Sequence, residues 1–244
     1  MEPYILDETE DFAVVFKPPR MHCAPLRQRS GDTLLDWYSG LFPAIRKLSG
    51  WKEGEGGLLH RLDFETQGLV LFAKNQQSLD HLMRQQNEGR IIKEYTAICH
   101  PTPHSSFPPP PFDLTRGDLP QTPFVIESFF RPYGPGRIQV RPVVVAGRKE
   151  IASDKGGFYQ TRIVSLSVED DKYFFTVRLR RGFRHQIRCH LAWIGCPVLN
   201  DPVYGQRADG FLGLRATGLF FADSRSGEPR EYRIAPLEKS ANPM

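Results

Sequence analysis

The stretch from Gly57 to Asn75, GLLHRLDFETQGLVLFAKN, is the most informative part of the chain. The charged tetrad His60-Arg61-Leu62-Asp63 stands just before an apolar run. That run, Leu69 to Ala73, predicts a buried strand. The sequence therefore predicts an acidic side chain held at the mouth of a buried strand.

The flanking sequence predicts a mixed α+β domain. After Leu69 to Ala73, Asn75 or Ser78 can cap a helix, because Leu79, Leu82 and Met83 share one apolar face. Further strands are expected at 11–16, 91–98, 137–145, 161–168, 173–180, 219–221 and 231–234, and a second helix at 184–194. No linker separates two cores, so one domain spanning 1–244 is predicted.

Eight prolines lie between Pro101 and Pro123. Proline has no backbone N–H and interrupts both helices and strands. We interpret this segment as an insertion at about 101–123, a loop or semi-rigid spacer outside the core.

Charge permits a nucleic-acid partner without requiring one. Thirty-two Lys and Arg oppose 28 Asp and Glu, for a formal charge of +4 over 244 residues. The segment from Lys172 to His190 is more distinctive, since it holds six basic residues and no acid. Such a run can attract a phosphate backbone, although a solvated strand face has the same composition.

Cysteine usage and hydropathy limit the cellular setting. Cys23, Cys99, Cys189 and Cys196 are scattered without metal-ligand spacing, so they are predicted to be reduced and structural. No run of about 18 apolar residues occurs, and the N-terminus is acidic where a signal peptide would be basic and then apolar. A soluble, cytoplasmic protein with no membrane partner is expected.

Four segments, taken in order, resemble the motifs of the RluA-like pseudouridine synthases. Phe12 to Pro18 resembles the family's N-terminal KPxG segment, His60 to Leu69 its HRLDxxTSGL signature, and Lys93-x-Tyr95 its KxY motif. The fourth segment, 184–192 followed by 200–205, resembles GRTHQIRVHLA and GDPxYG. The chain departs at Gln67, where the family has Ser, and at Phe183-Arg184, where it has Arg-Thr.

The resemblance implies the pseudouridine synthase fold, a mixed, mainly antiparallel central sheet with flanking helices. It also implies that the chain isomerises uridine to pseudouridine in ribosomal or transfer RNA, without a metal or organic cofactor. Asp63 would be the catalytic carboxylate, either attacking C1′ or removing the C2′ proton. Tyr95 would stack on the uracil, and Arg188 would pair with Asp63.

The same resemblance implies how RNA is bound. The target base must leave its helix, and Arg61 resembles the family's inserting residue. Phosphate contacts are expected from Lys93, Arg178, Arg180, Arg181 and Arg184. The remaining candidates for substrate or RNA contact are His60, His185, Gln186 and Ile187; Gln186 would order the helix start or a substrate loop. A stem-loop of ribosomal or transfer RNA bound by a monomer is expected, with no room before residue 12 for an S4-type domain.

Each candidate also has a structural interpretation. Asp63 alone would be a turn or capping residue, Tyr95 a half-buried strand aromatic, and Arg188 an exposed helix residue. His60, His185 and His190 fit satisfied core or surface histidines better than a zinc site.

Two other functions compete with the synthase. One is an RNA-folding chaperone of the same fold, in which catalysis is dispensable. The other is a nucleoside or glycoside hydrolase, for which Glu65 is the only nearby second carboxylate.

Overall fold

The computed structural model describes residues 1–25, 31–102, 107–116, 119–144, 157–206 and 209–238. They form two compact units. Unit 1 contains Met1–Glu94 and Arg215–Pro236, and unit 2 contains Tyr95–Leu214 and the residues from Leu237 onward. The single-domain organisation stays a prediction.

Ten strands and three α-helices are present in the described part of the chain. The strands are β1 Tyr4–Glu8, β2 Phe12–Lys17, β3 Gln67–Ala73, β4 Ile92–Cys99, β5 Phe124–Tyr133, β6 Gln139–Val143, β7 Tyr159–Glu169, β8 Lys172–Leu179, β9 Leu214–Ala222 and β10 Pro229–Arg233. The helices are α1 Leu34–Leu41, α2 Gln76–Asn87 and α3 Gln186–Trp193.

Unit 1 is built on a mixed sheet. β2 pairs with β1 and β3 in antiparallel fashion, β3 pairs with β9 in parallel fashion, and β9 pairs with β10 in antiparallel fashion. Gly68 lies at the parallel contact with a φ of +128°. A Cβ there would stand 2.2 Å from the carbonyl oxygen of Ala216, so only glycine fits.

The core of unit 1 explains why these elements form. β2 and β3 are buried along their whole length. Leu79 and Leu82 of α2 pack into the same apolar cluster, with Leu69 and Leu71 of β3 among its members. The helix begins at the predicted cap, where Asn75 Oδ1 accepts a hydrogen bond from the Ser78 amide at 2.8 Å.

Unit 2 contains an antiparallel sheet in which β5 pairs with β6 and β7, and β7 pairs with β8. The strand predicted at 173–180 corresponds to β8, in which the alternate residues Phe175, Val177 and Leu179 are buried. Helix α3 starts two residues later than predicted, because His185 adopts a left-handed φ of 57°. Strand pairing in both units is thus mainly antiparallel, and the α+β class is confirmed.

The structure of the proline-rich insertion agrees only in part with the prediction of a loop outside the core. Its described residues form no strand or α-helix, as expected. Leu114, however, is buried, and its amide donates to the Ile194 carbonyl at 3.0 Å. Trp193 Nε1 donates to the Pro108 carbonyl at 2.9 Å. Part of the insertion therefore belongs to the core of unit 2.

Three elements were not predicted, namely β1, α1 and β5. Helix α1 is only eight residues long and starts with a capping box between Thr33 and Asp36. Among the residues that the structure describes, no helix is long and apolar enough to cross a membrane.

Candidate active site

The loop before β3 holds Asp63 in a tight turn. The Thr66 amide donates to the Asp63 carbonyl at 3.1 Å, which places Phe64 and Glu65 at the centre of that turn. Asp63 is partly buried. The predicted position of an acid at the mouth of a buried strand is therefore confirmed.

Lys17, the last residue of β2, fixes this loop through hydrogen bonds to backbone carbonyls. Its side chain is fully buried, and Nζ donates to the carbonyls of Pro18 and Met21, both at 2.8 Å, and of Phe64 at 3.3 Å. Burial lowers the pKa of Lys17 to about 8, although nearby carboxylates, including that of Asp63, favour its charged form. Lys17 lies in the Phe12 to Pro18 segment, whose sequence gives no sign of this fixing role.

Cys23 fixes the other side of the same loop. Its Sγ accepts a hydrogen bond from the Leu62 amide at 3.1 Å and donates to the Leu62 carbonyl at 3.5 Å. Burial raises the pKa of the thiol to about 11, so the proton needed for donation is retained. Cys23 and Lys17 thus hold the residues immediately before and after Asp63.

His60 is anchored within unit 1. Its Nε2 accepts a hydrogen bond from the Leu71 amide at 3.3 Å, which places the ring proton on Nδ1. Burial, and then the charge of Lys93, lower the pKa of His60 to about 3, so the ring is neutral. The Leu71 contact supports a structural role for His60, whereas its buried Nδ1 has no hydrogen-bond partner in the described part of the chain, and RNA contact stays a prediction.

Gln67, where the chain departs from the family's Ser, is buried at the start of β3. Its Oε1 accepts a hydrogen bond from Arg215 Nη2 at 2.8 Å. The departure thus adds a side-chain contact between β3 and β9.

Lys93 and Tyr95 lie on β4 and are both buried. Burial lowers the pKa of Lys93 to about 8. Nothing in this burial favours a phosphate contact for Lys93, which stays a prediction, as does uracil stacking by Tyr95.

Arg188 makes a buried bidentate ion pair in unit 2. Its Nε and Nη2 each lie 2.7 Å from a carboxylate oxygen of Asp201, and the two residues are 3% and 0% exposed. Asp201 Oδ1 also accepts hydrogen bonds from the amides of Val203 at 2.8 Å and Tyr204 at 3.1 Å. The exposed-helix interpretation of Arg188 is wrong, and its pairing with Asp63 stays a prediction.

Sequence reasoning missed Asp201 as a positioning residue. The available signal was an acid in the Asn200-to-Gly205 motif just after the helix that carries Arg188. In the sequence that acid stands within the 200–205 segment, which resembles GDPxYG.

The start of α3 is ordered by side chains, as predicted for Gln186. Gln186 Oε1 accepts from the Phe183 amide at 2.9 Å, and its Nε2 donates to the Gln160 carbonyl at 2.9 Å. His185 Nδ1 lies 3.2 Å from the Tyr204 hydroxyl. Ile187 is a core residue.

Two arginines proposed to contact RNA hold protein partners in this structure. Arg184 Nη2 donates to the Arg137 carbonyl at 2.6 Å. Arg61 Nη1 lies 3.0 Å from Glu55 Oε1, with half of the Arg61 side chain exposed.

In the described ranges, no group of three or more His, Cys, Asp or Glu side chains could hold a metal ion.

Comparisons with known proteins agree with the motif resemblance. The family model described as RNA pseudouridylate synthase matches residues 11–193. The chain is 29% identical over 245 residues to an uncharacterized RNA pseudouridine synthase, YlyB, of Bacillus subtilis, covering 97% of this chain and 70% of that one. It is 26% identical to ribosomal large subunit pseudouridine synthase D of Haemophilus ducreyi, covering 83% and 53% respectively.

A solved structure agrees with the fold. Human RNA pseudouridylate synthase domain containing 1 superposes with a TM-score of 0.66 at 21% identity, covering 96% of this chain and 83% of that one. The chain belongs to the RNA pseudouridylate synthase family, whose members are isomerases, and this predicted class is confirmed. It spans between 53 and 70% of the length of the two curated relatives described above.

Proposed function

We propose that the protein isomerises uridines of ribosomal RNA to pseudouridine with Asp63 as the catalytic carboxylate. The observation that carries the proposal is the family match over residues 11–193, which includes the Asp63 motif. The turn geometry supports it, because Lys17 and Cys23 fix the backbone on both sides of Asp63. A preorganised carboxylate needs no reorganisation when the sugar arrives.

The reaction needs few groups. The N1–C1′ bond of the nucleotide breaks, the detached uracil turns, and C5 bonds to C1′, while C5 loses a proton and N1 gains one. No oxidant or reductant enters this balance. Asp63 would act at the sugar, while Tyr95 for stacking and Arg188 as an ion-pair partner remain part of the proposal through their motifs.

The substrate class is proposed from the relatives. Two of them are named as synthases of the ribosomal large subunit. We therefore propose large-subunit ribosomal RNA first and transfer RNA second, with the protein acting as a monomer in the cytoplasm.

Tritium release from RNA labelled at uridine C5 tests the proposed reaction. The substrate is total RNA from cells lacking the gene, and the enzymes are wild type, Asp63→Asn and the matched surface variant Asp80→Asn. Wild type and Asp80→Asn are expected to release tritium, and Asp63→Asn to release at least a thousandfold less. Absence of release by wild type, or full release by Asp63→Asn, would contradict the proposal.

Product analysis separates the alternatives. Free uracil in place of pseudouridine would indicate a hydrolase. Chemical mapping of pseudouridine in the large-subunit RNA of the deletion strain identifies the position, and a lost site in transfer RNA alone would reject ribosomal RNA as the substrate.

A further inference from the structure

A pair of aromatic rings, one exposed and one half-buried, stands beside Asp63 in unit 1. Phe64 follows Asp63 directly and is 40% exposed, although phenylalanine is usually buried. Its ring centroid lies 4.6 Å from that of His22, with 37° between the ring planes. One exposed apolar residue needs no explanation, but a ring pair next to the proposed catalytic carboxylate suggests a binding role.

Hydrogen bonds hold the backbone that carries the Phe64 ring. Phe64 is a central residue of the Asp63–Thr66 turn, and its carbonyl accepts the hydrogen bond from buried Lys17. His22 is held by its own carbonyl, which accepts from the Leu34 amide at 2.9 Å. The exposed ring is therefore tied to the same framework that positions Asp63.

Two arginines close to Phe64 or His22 in the sequence lie beside carboxylates. Arg61 lies 3.0 Å from Glu55, and Arg20 lies 3.6 Å from Glu65. A carboxylate beside an arginine weakens the attraction of that arginine for a phosphate, whereas the exposed ring of Phe64 can still stack on a base.

We propose that the Phe64–His22 pair is a stacking platform for an unpaired base next to the target uridine. This inference rests on the proposed function and sharpens its substrate class. The faces of a base inside a continuous duplex are covered by its neighbours, whereas a base in a loop or at an end can stack on a protein ring. The target uridine therefore has an unstacked neighbour.

Equilibrium binding tests the platform without depending on catalysis. The probe is a fluorescein-labelled single strand of twelve uridine nucleotides, and all variants are made in the Asp63→Asn background. Phe64→Leu is expected to weaken binding about tenfold, because base stacking on one aromatic ring contributes on that order. Phe64→Tyr and Phe64→Trp should stay within about twofold of the parent.

Two controls separate stacking from other causes. Tyr4 is a matched control, because it is 44% exposed and its ring centroid lies 4.9 Å from that of Phe16. Tyr4→Leu should therefore bind the strand like the parent. The second control is an abasic ribose-phosphate strand of the same length and charge, on which Phe64→Leu should have no effect. The slope of log affinity against log salt should not change in Phe64→Leu, because no phosphate contact is removed.

Three results would overturn the platform. They are equal binding by Phe64→Leu and the parent, equal weakening by Phe64→Leu and Phe64→Trp, and equal weakening on the uridine and abasic strands. Tritium release by wild type, together with unchanged binding by Phe64→Leu, would reject the platform while leaving the proposed function intact. Weakened binding on the uridine strand alone, with no tritium release from wild type, would retain the platform and reject the proposed catalysis.

Discussion

The Asp63 loop and the Arg188 helix hold their charged residues by different means. In unit 1, Cys23 and Lys17 bond to backbone atoms of Leu62 and Phe64, the neighbours of Asp63. In unit 2, Arg188 is bonded through its own guanidinium to the buried carboxylate of Asp201.

This difference determines how each region tolerates change. The hydrogen bonds that Lys17 and Cys23 make to the backbone can be removed one at a time, and each neutral bond contributes about 1 kcal/mol. A buried ion pair cannot lose one partner in that way, because the other charge is left without compensation. The Arg188–Asp201 pair should therefore contribute more to the free energy of unfolding. The hydrogen bonds of Lys17 and Cys23 should act mainly on the rate of the reaction.

The largest effect is expected from Asp201→Asn. The change removes the bidentate carboxylate that Arg188 contacts in the interior of unit 2, and it should cost about 3–5 kcal/mol of unfolding free energy. Urea denaturation measures it. The matched control is Asp223→Asn, whose partner Arg230 has a side chain 41% exposed, and whose loss should cost about 1 kcal/mol. Equal costs would show that burial does not distinguish the two pairs.

Lys17→Met should have the next largest effect. It leaves three carbonyls without their charged donor, at a cost of about 2 kcal/mol, partly offset because a buried charge is also removed. Because the Asp63 loop loses its anchor, kcat for tritium release should fall more than tenfold while KM changes little. A variant that is destabilised but keeps the parental kcat would show that Lys17 does not position Asp63.

The pH dependence of stability should involve His190. Its ring is fully buried, and burial lowers its pKa to about 3. The unfolded histidine binds a proton below about pH 6.5, whereas the folded one does so only near pH 3, so stability is retained above pH 6.5 and falls as the pH falls. The loss at pH 5 should be about 2 kcal/mol.

Urea denaturation at pH 7.5 and pH 5 measures the loss assigned to His190. In His190→Gln the decrease in the free energy of unfolding between the two pH values should be smaller by that amount. An unchanged drop would assign the acid sensitivity to other groups.

Cys23→Ala should have the smallest effect on stability, about 1 kcal/mol, because one neutral thiol clamp is removed. The expected fall in kcat is about threefold to tenfold, with KM unchanged. Cys23→Ser keeps a donor and an acceptor and should recover part of the rate. If serine and alanine give the same kcat, the hydrogen bonds to Leu62 do not position the loop.

The sequence was a good guide where a signal is local. The apolar run at Leu69 to Ala73 and the Asn75 cap predicted β3 and α2 because periodicity and capping act within a few residues. Helix α1 was missed although its capping residues Thr33 and Asp36 are also a local signal.

The contacts that support the site could not be predicted in the same way. Lys17 and Phe64 are 47 residues apart, and Cys23 and Leu62 are 39 apart. Such pairs depend on strand register, and β2 must pair with β3 before Lys17 reaches the turn. A lysine in an apolar strand gives no sign of which carbonyls it will meet.

The discontinuity of unit 1 has a consequence for synthesis. β9 completes the sheet beside β3, and the bonded residues Gln67 and Arg215 are separated by 148 positions. On the ribosome, β3 therefore emerges long before its parallel neighbour, and the edge of β3 at Gln67 and Gly68 lacks that neighbour while unit 2 is translated. Unit 1 must close after translation of β9, so nascent chains stalled before residue 215 should require a chaperone to protect that edge.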